Sequence, residues 1–97
     1  MINDTQFLQL FNAVALVAKT LSNPPVPAQS LDETFQELNI DSLDGLIMGM
    51  YLCEIFDIPE EIGKNFQPAT VGEFQAMLYE HAQKTDIDVE EAIKGLK

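Results

Sequence analysis

Arginine is absent from this chain of 97 residues, and five lysines are all that offset sixteen acids, giving a formal net charge of −11. A phosphate backbone would be repelled by such a surface, which argues against nucleic-acid binding. Cysteine occurs once, as Cys53, so no internal disulfide can form and a reducing compartment, the cytoplasm, is expected. No uninterrupted apolar run approaches the roughly 20 residues of a membrane span. The N-terminus carries no basic stretch leading into an apolar core and no arginine, so neither a signal peptide nor a transit peptide is expected. Histidine also occurs once, as His81. Alternating strand patterns, internal repeats and low-complexity tracts are missing as well.

What remains is apolar and helical. The apolar fraction of 46% is too high for a disordered chain despite the acidic excess. The length suits one small domain with a modest core, and a monomer is expected. Asn3 with Gln6 resembles a capping box ahead of a stripe of Phe7, Leu10, Phe11, Val14 and Ala18 that extends to about residue 21. Asp57 with Glu60 opens a short turn through Pro59. Thr70 with Glu73 caps a helix carrying Val71, Phe74, Leu78 and Ala82. Asp88 with Glu91 starts a last short helix, with acids early and Lys94 and Lys97 late, as the helix dipole favours. Residues 22–41 form a long connection, stiffened by Pro24, Pro25 and Pro27 and pinned by Leu31, Phe35 and Leu38. The expected architecture is an all-α bundle over residues 1–83, with a long first loop and a short amphipathic helix in an extension over 84–97.

Asp41-Ser42-Leu43-Asp44 stands where that loop gives way to a strongly apolar helix over 42–56. Asp41 is a good N-cap, which makes Ser42 the first helical residue, exposed and reachable by another enzyme. A serine at a helix start is ordinarily just a capping residue. On a helical wheel of about 100° per residue, Gly45, Met48, Gly49, Leu52 and Phe56 gather on the core side, and Asp44 and Glu54 mark the wet side. Ile47 and Tyr51 fall between those acids, with Leu43 and Met50 flanking them. Exposed apolar groups rimmed by carboxylates suggest a docking face, unless the C-terminal helix folds back and covers them. Glycine weakens a helix interior, so Gly45 and Gly49 imply either close packing or room inside the bundle. Met48, Met50 and Met77 would make such a lining adaptable, although methionines in a core are ordinarily packing.

These residues resemble an acyl carrier protein. The run from Phe35 to Asp44 is similar to that family's segment ending in Asp-Ser-Leu-Asp. Glu54-Ile-Phe-Asp-Ile-Pro59 resembles the close of its second helix, and Thr70-Val71 the start of its last. The resemblance spans roughly residues 5–83 and implies a four-helix bundle with a long first loop. It further implies that Ser42 receives 4'-phosphopantetheine from coenzyme A through a phosphodiester, made by a phosphopantetheinyl transferase with magnesium. The arm's thiol would hold acyl groups as thioesters for fatty-acid or polyketide-type biosynthesis, with Asp41, Leu43 and Asp44 flanking the site and helping the transferase dock. Acyl-transferring and acyl-modifying enzymes with basic and apolar patches would meet Leu43, Ile47, Met50, Tyr51 and Glu54. The acyl chain would be sheltered among Leu46, Met48, Gly49 and Leu52.

The chain departs from the family where typical fatty-acid carriers place glutamates on the second helix. Those places hold Ile47 and Cys53, with Glu54 alone remaining acidic. A specialised carrier, itself not an enzyme, is the expectation.

Other readings use the same residues differently. An aminoacyl or peptidyl carrier would use the same serine and arm, and an unmodified adaptor would use only the apolar face. Calcium binding at Asp86-Ile-Asp88-Val-Glu90 fails because Glu91 replaces the required glycine and Lys97 the final glutamate. A serine hydrolase fails because there is no Gly-x-Ser-x-Gly elbow and His81 is the sole candidate base.

Overall fold

The computed structural model describes residues 1–18, 24–64 and 67–96. They form five helices: α1 (Asp4–Ala18), α2 (Ser42–Phe56), α3 (Glu60–Lys64), α4 (Val71–His81) and α5 (Val89–Lys94). No strand occurs among the described residues; Thr34 and Thr70 make a single isolated bridge. The all-α expectation is met at this coarse level. The expected extent of the first helix beyond Ala18 falls outside the described residues.

Local capping explains most of the helix starts. Asn3 and Gln6 form a reciprocal box, with the Asn3 N–H donating to Gln6 Oε1 (2.9 Å) and the Gln6 N–H to Asn3 Oδ1 (2.8 Å). The Glu73 N–H donates to the Thr70 hydroxyl (3.2 Å), and the Glu91 N–H to Asp88 Oδ1 (3.2 Å). Asp57 departs from expectation. It ends α2 instead of opening the next turn, adopting a left-handed conformation (φ 57°) with its N–H turned back to the Cys53 and Glu54 carbonyls. Aspartate tolerates this region because its short polar side chain can bond locally, so α3 starts only at Glu60, after Pro59.

The core is wholly apolar among the described residues, with no buried polar or charged side chain. Phe7, Phe11, Phe56, Leu10, Leu38, Met48, Leu52 and Leu78 are its largest fully buried members. Aromatic rings link the elements: Phe11 lies 5.8 Å from Phe35 and 6.2 Å from Phe74, and Phe7 meets Tyr79 edge-on at 5.8 Å. Such pairs add to the area they bury.

The described part of the long first loop, from residue 24, is held by polar contacts that no apolar periodicity reveals. Asn12 on α1 grips it on both sides, donating from Nδ2 to the Ala28 carbonyl (3.1 Å) and accepting the Ala28 N–H at Oδ1 (2.8 Å). Further on, the Val71 and Gly72 N–H groups donate to the Glu33 and Leu31 carbonyls (3.0 and 2.8 Å), tying the loop to the start of α4. A Cβ at Gly72 would sit 3.0 Å from the Leu31 carbonyl oxygen, so any side chain there would press on the Leu31 backbone.

The C-terminal segment is fastened to the bundle. Both the Gln83 and Lys84 N–H groups donate to the Phe56 carbonyl (3.1 Å each), Val89 is buried, and α5 packs on α1.

Candidate functional site

Buried Ile40 anchors the chain immediately before α2, and Asp41 then takes an extended conformation (φ −86°, ψ −179°) as N-cap. Its carboxylate accepts the Asp44 N–H (2.8 Å), while Asp44 Oδ2 accepts the Asp41 N–H (3.4 Å). This is a capping box built from two aspartates. Both carboxylates are therefore turned toward backbone N–H groups. Ser42 follows as the first helical residue and is exposed. The first-turn N–H groups and the helix dipole favour negative charge here, which the Asp41 and Asp44 carboxylates supply. His81, the only histidine, lies exposed at the end of α4. Asp41, Ser42, Leu43 and Asp44 thus share one end of α2.

The apolar face that leads away from Ser42 is shifted from the wheel expectation. Leu43 (63% exposed), Leu46 (45%) and Met50 (48%) are the large apolar groups exposed on α2. Ile47 and Tyr51, expected on the docking face, are half-buried against the core, while Glu54 is exposed. Leu46, expected inside an acyl pocket, instead stands on the surface with Leu43 and Met50. The resemblance, not the wheel, places Leu46 inside, and α2 is apolar nearly all round, so its narrow polar side does not fix the helix rotation.

Of the remaining residues expected to line a pocket, Met48 and Leu52 are fully buried in the packed core. The glycines on the same side do not mark a close helix approach. A Cβ at Gly45 would meet the Phe35 ring at 3.5 Å, and one at Gly49 would meet Phe74 at 3.9 Å, both ordinary contacts. The cleft touching Leu46, Gly49, Met50, Cys53, Glu60 and Gly63, between α2 and α3, encloses about 10 Å³. That is room for about one water molecule.

α3 closes this cleft because Gly63 lacks a side chain: a Cβ there would lie 2.7 Å from the Cys53 sulfur. Cys53 itself is buried, and burial, with a smaller contribution from the Glu60 carboxylate, pushes its thiol above the ordinary value. It is a packing thiol in the protonated form. The contact between α2 and α3 carries no sequence signal beyond a glycine in a short helix.

A larger concavity lies at the other end of α2. Segment 84–96 and the Tyr51–Asp57 stretch enclose a groove of about 720 Å³, open on one side. Nothing in the periodicity of either segment announces it, because it depends on where the extension is tied down. No cluster of three or more metal-ligating side chains occurs among the described residues, and none of their helices is long and apolar enough to cross a membrane.

In comparison with known proteins, no family model, curated protein or solved structure matches the chain.

Proposed function

We propose that the protein is a carrier whose Ser42 takes a 4'-phosphopantetheine arm and holds acyl intermediates on it as thioesters. The observation that carries this reading is the exposed Ser42 hydroxyl at the capped start of α2, beside Asp41 and Asp44 and ahead of the exposed Leu43, Leu46 and Met50. Ser42 Oγ would accept the phosphopantetheinyl group as a phosphodiester, its proton leaving to a base on the transferase, since the chain's one histidine is at the end of α4. The arm, once bound, would supply a terminal thiol. Asp41 and Asp44 fix the helix start and offer negative charge to a basic partner surface. Leu43, Leu46 and Met50 offer apolar contact, and the net charge of −11 speeds encounter with basic partners. Aminoacyl or peptidyl cargo would use the same serine.

A second reading, an adaptor that docks without modification, draws on the same exposed apolar trio. Incubation of the full chain with coenzyme A and a broad-specificity phosphopantetheinyl transferase, followed by fragmentation mass spectrometry, separates the two. The carrier reading expects the added group on Ser42 and none on a Ser42→Ala variant. A folded chain that gains nothing with several transferases supports the adaptor.

A further inference from the structure

The groove at the C-terminal end of α2 lies apart from Ser42. Its lining on α2 begins at Tyr51, nine positions after Ser42, which places the groove about 13 Å or more further along the helix axis at 1.5 Å per residue. Its apolar lining comes from Tyr51 and Ile55 on one side and Ile87, Ala92 and Leu96 on the other. All five are half-buried, packed against the core on one face. Around this lining stand Glu54, Asp57, Asp86, Asp88 and Glu91, with Lys84 as the only cation among the lining residues.

We propose that this groove is a docking site for a basic amphipathic segment of a partner protein, one that presents large apolar side chains flanked by lysine or arginine. Charge complementarity selects this occupant: five carboxylates against one ammonium oppose an acidic or phosphate-bearing ligand and attract a cationic one. The apolar lining gives such a segment surface to bury that a free polyamine could not use. Because the groove is open on one side, a bound molecule is covered on one face only. That suits one face of a peptide, whereas small-molecule sites bury most of their ligand. The amphipathic segment would lay its apolar stripe on Tyr51, Ile55 and Ile87 and its cations over Glu54, Asp86 and Glu91. Docking here leaves Ser42 open, so a partner could hold the protein while the serine end is engaged elsewhere. The proposal stands whether or not Ser42 is modified.

The test is a titration of the isotope-labelled full chain with a synthetic helical peptide of leucine and lysine, followed by NMR. The expected result is a set of saturable shifts centred on Tyr51, Ile55, Ile87 and Ala92. A glutamate-for-lysine version of the peptide should produce none. The exposed double variant Asp86→Asn/Glu91→Gln, checked for unchanged helix content, should bind the lysine peptide roughly two- to thirty-fold more weakly, as the loss of two rim charge pairs implies. Shifts centred instead on Leu43, Leu46 and Met50 would overturn the proposal. So would equal binding of both peptides, or full affinity in the double variant.

Discussion

Asp41 holds the start of α2 through its carboxylate, and in the proposed carrier the same carboxylate would be offered to a docking enzyme. Replacing it separates these roles. Asp41→Ala should lower stability by about 1 kcal/mol through loss of the cap, read as a lower urea midpoint. Asp41→Asn should keep that stability while removing the charge, because asparagine caps nearly as well. Much at this scale is legible in sequence: Asn3, Asp41, Thr70 and Asp88 all cap the helices their spacing announces. The Asp57 turn is not, because an aspartate followed three residues later by glutamate serves equally well to start a helix or to end one in the left-handed region. A second residue-scale prediction concerns Cys53. Its folded thiol titrates above the ordinary value of 9.0, chiefly through burial. The folded state therefore keeps a proton that the unfolded chain gives up, and stability should fall as pH rises past 9.0. Below that pH the contribution is fully present. Urea midpoints measured through this range should fall less steeply for Cys53→Ala.

At the scale of elements, the contact between α2 and α3 rests on one missing methyl group. Gly63→Ala would bring a Cβ within 2.7 Å of the Cys53 sulfur, so it should destabilise the protein by about 1–3 kcal/mol. In a Cys53→Ala background the same change should be neutral or stabilising, since alanine favours a helix interior over glycine by up to about 1 kcal/mol. A double-mutant cycle reads the difference as coupling, and no coupling would mean that α3 sits elsewhere. This contact is invisible in the sequence because both partners are small. The rotation of α2 is hidden for the opposite reason: with apolar residues on nearly every side, the pattern cannot tell which of Leu46 and Ile47 faces inward, and tertiary contacts decide it. The loop is half legible. Leu31, Phe35 and Leu38 announce an ordered crossover, whereas the Asn12 grip on Ala28 joins residues sixteen apart with no periodic signature.

For the whole molecule, charge dominates. Sixteen acids against five lysines on 97 residues must repel one another in the compact state. Raising salt from about 0.01 M to about 0.15 M shortens the screening length from about 30 Å to about 8 Å. The urea midpoint should rise over that range, and a fall would show that attractive pairs outweigh the repulsion. The all-α character and the acidic balance of the chain can be read from composition and caps. The groove beside segment 84–96 cannot, because it exists only once Gln83 and Lys84 are bonded to the Phe56 carbonyl and Val89 is buried. Whether the molecule carries a phosphopantetheinyl arm is read most directly from its intact mass. After incubation with coenzyme A and a phosphopantetheinyl transferase, the wild-type chain should gain one phosphopantetheinyl group and the Ser42→Ala chain none. An unchanged mass for the folded wild-type protein, with a cognate transferase as well as a broad-specificity one, would contradict the account.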